Sequence, residues 1–378
     1  VAAVDVPLVS RDGARVYARV FNPEQRRWSP TQTLDIGESQ LGDALFRSVE
    51  VAVAPDGTVH AVWGATPYPA LEIYHSLSHD HGKTWSVPKR VGGGYFHVLD
   101  AVTTEDNALV VLALPRRPNG PQYAAVLTRT PQGDWLPSEI LDAPTWFAAS
   151  GSLQVVGGPD ARLVAMVTGE GPHIYLASRP VSGGDWSIGR RTLAPPSGIA
   201  SGQLTANAQG VTFGASGIAF VFGTREAAEL YTVSSLDAGR TWSTTEPVVV
   251  YGASTSPADP RLQYAAIGFD ARARRLVAVW ACCKDALFGN VAATHYVSSS
   301  EPGRGQWLPH LVGAARRDAA VPVISGALAA GITVGAQAPN SDDLWLAWVE
   351  DGTNIVLRTF DLHSLLPMSE YPVSTTTP

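Results

Sequence analysis

The stretch Ser78-His79-Asp80-His81-Gly82-Lys83-Thr84-Trp85 decides how the chain is read, because it returns as Ser235-Leu236-Asp237-Ala238-Gly239-Arg240-Thr241-Trp242. Both copies obey the pattern S-x-D-x-G-x-T-W, and each follows a strand-like run, residues 72–76 and 230–234. The chemistry is that of a turn. An Asp carboxylate accepts bonds from the backbone N–H groups of its own turn, and Gly supplies a position with positive φ. The Ser and Thr hydroxyls add local bonds, and the Trp anchors the hairpin on an apolar layer beneath it. Five shared positions in eight mark a repeat.

Working outward, degenerate copies that keep the terminal Trp occupy residues 22–28, 128–135, 178–186 and 298–307. Trp28, Trp85, Trp135, Trp186, Trp242 and Trp307 therefore recur every 50 to 65 residues. Such a period fits a four-stranded propeller blade. Ahead of each Trp lie two apolar runs joined by a turn: residues 49–54 and 59–63, 101–103 and 108–114, 153–156 and 162–167, 211–213 and 218–222, 265–269 and 276–280. The last unit, 331–336, 344–349 and 354–360, has three strands and no terminal Trp. The chain's beginning offers the complement, residues 15–21, Trp28 and 31–34. Joining the two ends in one blade predicts an all-β, six-bladed β-propeller of four-stranded antiparallel blades, a closure that hides sheet edges. Seven blades is the alternative, if the N-terminal strands form more of a blade of their own. One domain over residues 1–366 is expected, then a polar tail or linker at 367–378, with further domains conceivable beyond it.

Composition agrees with many short strands and tight turns: 45% hydrophobic, 16% charged, 36 Gly and 28 Pro in 378 residues. The formal charge of −7 is spread out, and no Lys/Arg-rich run is present. Nucleic acid and anionic membrane surfaces are therefore excluded as expected partners. Residues 319–338 carry no charge, but Pro322, Gly326, Gly331 and Gly335 interrupt them, so strand–turn–strand is expected rather than a membrane span. Cys282 and Cys283 are adjacent, which suits two reduced thiols or a vicinal disulfide and lacks zinc-site spacing. The chain opens at Val1 without Met, as a mature or trimmed product would. No metal-loop motif is visible, and neither metal nor cofactor is expected.

Propeller geometry sorts the loops. The first-to-second turns and the S-x-D-x-G-x-T-W turns fall on one face, which makes the latter structural rather than catalytic. The opposite face gathers the second-to-third loops and the crossings between blades. Those loops carry the aromatics Tyr68, Tyr95, Phe96, Trp146, Phe147 and Tyr251. They also carry Arg47, Arg116, Arg117, Arg225, Arg261, Arg316 and Arg317, with carboxylates such as Asp43, Glu50, Glu226 and Asp285 in or beside them. Flat rings and guanidinium forks suit an anionic sugar. Aromatics capping a core beside ordinary surface ion pairs would read the same way.

Phe46-Arg47, followed by Val51-Ala52-Val53-Ala54-Pro55-Asp56-Gly57 and then the first full turn, resembles the opening of bacterial sialidases of the Asp-box (BNR repeat) β-propeller family. In that family a Phe-Arg-Ile-Pro motif opens the first full blade, and its Arg is one of three that clamp the substrate carboxylate. The resemblance implies that role for Arg47, with Arg225 as a second clamp and Arg261 or Arg316 as the third. Ser48-Val49 stands in place of Ile-Pro. The loop after Trp63, where the family carries its acid/base Asp, has none, and Glu72 is the nearby carboxylate. Tyr264 and Tyr296 are the loose matches to the family's nucleophile, and Glu226 is the carboxylate beside Arg225. The resemblance thus implies a secreted or cell-surface glycoside hydrolase, with Glu226, Tyr264 and Glu72 catalytic and with Arg47, Arg225, Arg261, Tyr95 and Trp146 holding an anionic glycan. Such a hydrolase would retain configuration, using a Tyr polarised by a Glu. A non-catalytic glycan- or protein-binding module is the alternative. A polysaccharide lyase using His97 with Tyr95, or His173, is the second.

Overall fold

The structure is a computed structural model. It describes residues 2–5, 16–22, 27–34, 48–65, 72–115, 122–145, 150–157, 160–169, 173–192, 208–223, 229–243, 246–250, 264–270, 275–282, 294–300, 308–314, 333–335, 343–350, 354–361 and 367–373. These residues form an all-β chain of antiparallel sheets.

The first sheet holds β1 (Ala2–Asp5), β2 (Val16–Asn22), β3 (Arg27–Trp28) and β4 (Gln32–Leu34). The second holds β5 (Ser48–Val53), β6 (Val59–Ala65), β7 (Glu72–Ser78) and β8 (Lys89–Gly93). The third holds β9 (Tyr95–Thr103), β10 (Leu109–Pro115), β11 (Gln122–Arg129) and β12 (Glu139–Thr145). The fourth holds β13 (Gly151–Val156), β14 (Arg162–Thr168), β15 (His173–Pro180) and β16 (Ser187–Thr192). The fifth holds β17 (Gln209–Phe213), β18 (Gly217–Gly223), β19 (Glu229–Ser235) and β20 (Glu246–Val250). The sixth holds β21 (Tyr264–Asp270), β22 (Arg275–Cys282), β23 (Thr294–Ser300) and β24 (Leu308–Ala314). The seventh holds β25 (Thr333–Gly335), β26 (Asp343–Glu350), β27 (Asn354–Asp361) and β28 (Pro367–Val373).

Among the described residues, then, the strands pair into seven sheets, not the six that sharing a sheet between the two termini would give. The reason lies at both ends. Pro367–Val373, expected in the polar tail, pairs with β27 and supplies the last sheet's fourth strand locally. At the start, β3 pairs Phe21 and Asn22 while β4 pairs residues 16–18, so both lie along one edge of β2 and the first sheet is only three strands across. No helix is long and apolar enough to cross a membrane among the described residues.

Burial explains the order within a sheet. β10 reads Leu-Val-Val-Leu-Ala-Leu-Pro and β18 Gly-Ile-Ala-Phe-Val-Phe-Gly, each buried nearly throughout, as second strands covered on both faces must be. Two of the fourth strands are polar: Ser187–Thr192 is mostly exposed, and Lys89 and Arg90 stand exposed on β8. Charge on an outer edge discourages pairing with another chain.

The chain separates into two compact units, residues 1–147 with 326–329, and residues 148–325 with 330–378. In the first unit Val16, Ala18 and Leu34 of sheet one pack against Ala61, Trp63 and Tyr74 of sheet two. The other face of sheet two, through Ala52, Val62 and Ile73, packs against Val98, Ala101, Leu109, Val111 and Leu127 of sheet three. In the second unit Val164, Met166, Ile174 and Leu176 of sheet four meet Ile218, Phe220, Phe222 and Val233 of sheet five. Within each unit these consecutive sheets stack face to face.

Candidate functional site

The repeated turns place the loops, so they come first. In the first, Ser78 Oγ donates to Asp80 Oδ1 at 2.8 Å and accepts from Gly82 N at 2.7 Å. Thr84 N donates to Asp80 Oδ1 at 2.8 Å, and Thr84 Oγ1 to Oδ2 at 2.7 Å. The second repeats each bond: Ser235 to Asp237 at 2.8 Å, Gly239 N to Ser235 at 2.9 Å, and Thr241 to Asp237 at 2.8 and 2.6 Å. Both make two successive residues left-handed, His81-Gly82 at φ 59° and 84° and Ala238-Gly239 at 57° and 78°. The Gly was legible beforehand; the non-glycine residue ahead of it was not.

Bonds from Thr84 backbone and side chain, then Ser78, hold the Asp80 carboxyl well below its ordinary range. At Asp237 burial pushes upward, yet the bonds from Thr241 and Ser235 prevail and lower it. These carboxylates are spent on their own turns, as the structural reading required.

Three of the terminal Trp residues reach back to the sheet before their own. Trp85 joins the core between sheets one and two, Trp135 that between sheets two and three, and Trp242 that between sheets four and five. First-to-second turns share the face of these turns. Thr58 Oγ1 lies 3.2 Å from His79 Nδ1, and Ala238 N donates to Ser216 O at 2.8 Å. The opposite ends of the strands therefore carry the loops expected to bind.

Glu72 sits at that opposite end, where β7 begins. It is 8% exposed, and each of its oxygens has a partner. Arg90 Nη2 of β8 meets its Oε1 at 2.9 Å, and the Tyr74 hydroxyl donates to its Oε2 at 2.9 Å. Tyr74 is itself buried and stacks on Trp63, ring centroids 6.2 Å apart. Burial first, then the bond to Glu72, pushes the Tyr74 phenol up to about 12. Each Glu72 oxygen thus holds one partner, the guanidinium or the phenol, and a buried phenol raised in this way keeps its proton at neutral pH. The cluster is a clamp between neighbouring strands. Sequence reasoning singled out Glu72 but missed Tyr74 and Arg90; the alternation that puts Tyr74 on the face of Glu72 was the available signal.

Glu50 lies half-buried on β5, the first strand of its sheet. Burial, then the negative charge of Asp100 on β9, pushes its carboxyl well above the usual range. A carboxyl raised in this way holds its proton to a higher pH than an exposed one.

The remaining expected residues divide simply. Tyr95 opens β9, opposite Pro115, and Tyr264 opens β21, opposite Ala281; these are strand positions only. Arg47, Arg225, Glu226, Arg261 and Trp146 lie outside the described residues. Of the lyase candidates, His97 is half-buried on β9, and His173 Nδ1 lies 3.1 Å from Thr192 Oγ1 across the β15–β16 pair. No group of three or more metal-ligating side chains occurs among the described residues.

No family model and no curated protein sequence matches the chain. Solved structures do. The sialidase of Trypanosoma rangeli superposes with a TM-score of 0.52 at 11% identity, over 95% of this chain and 63% of that one. A variant of AofleA from Arthrobotrys oligospora gives 0.51 at 13% identity, over 88% of this chain and 90% of that one. Hadza microbial sialidase Hz136 gives 0.49 at 14% identity, over 72% of this chain and 58% of that one. The chain thus spans less than two thirds of either sialidase. At these identities the likeness is one of fold: the chain resembles a sialidase-like β-propeller.

Proposed function

We propose that this chain is a carbohydrate-engaging β-propeller of the Asp-box kind, exported or displayed at a cell surface, that binds glycan without hydrolysing it. One observation carries the choice of binding over hydrolysis. Glu72, the carboxylate nearest the loop where a sialidase keeps its acid/base, is buried and committed to Arg90 and Tyr74. Glycan as the ligand class is supported by the fold's likeness to sialidases and by the arginine- and aromatic-bearing loops of one face. Arg47, Arg225 and Arg261 would pair with a sugar carboxylate, and Tyr95 and Trp146 would stack on its ring. We assign the sheets to blades of one propeller domain that extends to residue 373.

A second reading keeps the hydrolase. Phe46-Arg47 ahead of the first full turn supports it, and Glu226 with Tyr264 would then supply the polarised phenol in place of Glu72.

A glycan array carrying sialylated, uronic-acid and neutral sugars, run beside a fluorogenic sialoside assay, separates the readings. Retention of anionic glycans without turnover, weakened about tenfold or more by Arg47→Ala, is the expected result. Turnover that survives Glu72→Gln but disappears in Glu226→Gln would replace binding with hydrolysis. Neither retention nor turnover would remove both.

A further inference from the structure

Two histidines outside the clamp are buried together where sheets two and three meet. His60 on β6 is 2% exposed and His75 on β7 is 5% exposed. Their rings stack at 5.2 Å between centroids, with His60 Nδ1 3.0 Å from His75 Nε2. His75 also sets its ring edge-on to Trp135 of sheet three, 5.6 Å away. The bond between the rings needs one nitrogen bearing hydrogen and one bare, so it survives a first proton and is lost once both imidazoles are charged.

We propose that the His60–His75 pair, bonded within sheet two and packed on Trp135 of sheet three, is an acid-sensitive latch on the packing of the two sheets, closed while the rings are neutral and opened as these buried rings become charged. The surroundings decide the direction. From sheet three, Arg129 faces the pair, with Asp134 beside it; from their own sheet come Asp56, His79 and Lys89. Asp56 is the anion that favours a charged His60, and it is outweighed by burial and by Arg129. Burial, followed by His60 and Arg129, lowers His75 to about 3, and burial followed by Arg129 lowers His60 to about 4. A first proton leaves a charged donor facing a neutral acceptor beside a guanidinium. A second leaves two donors face to face, and the bond is lost.

The sign follows from linkage. Once the strands part, each ring takes a proton near pH 6.5. Stability held above that pH is therefore lost as pH falls, and the loss levels off near pH 4 to 3, where the closed pair accepts protons itself. Among the described residues, no buried histidine lies in sheets four and five, so the core between them serves as an internal control.

Hydrogen exchange on the full chain tests this between pH 7 and 4.5, corrected for intrinsic exchange rates. Peptides covering residues 59–78 and 122–136 should open more readily as pH falls, by about tenfold per pH unit for each histidine. Peptides covering 151–168 and 217–235 should respond less steeply. In His60→Gln/His75→Gln the excess slope should vanish. Equal slopes at both interfaces in the wild-type chain would overturn the latch, and that comparison stands even if the double variant does not fold. Persistence of the excess slope in a folded double variant would overturn it as well.

Discussion

Trp242 stacks on Phe220 with ring centroids 5.7 Å apart, and through that contact the second repeated turn is tied to the interface between sheets four and five. The indole is not decoration on a hairpin; it closes the core behind it. Truncating it by Trp242→Ala should cost about 3 kcal/mol, the low end for a large aromatic because the ring is only partly buried. Trp242→Phe should cost less than about 1.5 kcal/mol. Urea unfolding followed by circular dichroism measures both.

The clamp predicts a split between two substitutions of one residue. Glu72→Gln keeps an acceptor for the Tyr74 hydroxyl and loses only the pair with Arg90, whose side chain is 59% exposed, so a change under about 1 kcal/mol is expected. Glu72→Ala strands a buried phenol O–H and should cost about 2–3 kcal/mol. Glycan retention at saturating stability should be the same in both. Loss of retention in the Gln variant would show that Glu72 reaches ligand.

Gly57 and Gly183 separate backbone strain from crowding. Both have positive φ, at 86° and 110°, but a Cβ at Gly57 would stand 2.5 Å from His81 Cε1, while one at Gly183 meets nothing within 4 Å. Gly183→Ala should carry the conformational cost alone, about 1–3 kcal/mol, and Gly57→Ala that cost plus whatever turning the exposed His81 ring aside requires. Thermal melts of the two variants give the order directly.

Acid should act in two phases. The Asp80 and Asp237 carboxyls are lowered, so the stability they confer is fully present above about pH 4 and is lost only as pH falls through their depressed values. The histidine pair begins to fail near pH 6.5. Asp80→Asn should leave the slope between pH 7 and 5 unaltered and reduce the loss below pH 4. A change in the upper slope would mean the turn and the histidines titrate together.

Much of the fold was legible because two local rules agree. Pro55-Asp56-Gly57 between residues 49–54 and 59–63 forecast the β5–β6 hairpin, and Ser78 to Trp85 forecast the turn that leads into β8. The termini were misread because strand content there is weakly written. Pro367–Val373 opens on proline and alternates poorly, yet backbone pairing with β27 fixes it as a strand. The site was less legible. Sequence proximity made Glu72 look like an acid/base, whereas cross-strand register, which places Arg90 opposite Tyr74, decides what it does. No one-dimensional pattern reveals that His60 and His75, fifteen positions apart, share a bond.

The backward reach of Trp85, Trp135 and Trp242 gives the architecture a direction in time. During synthesis sheets one, two and four should each wait uncovered until the next hairpin emerges and lays its indole on them. A stall in translation just after sheet one, two or four would then leave that sheet's apolar face open to chaperones at the ribosome.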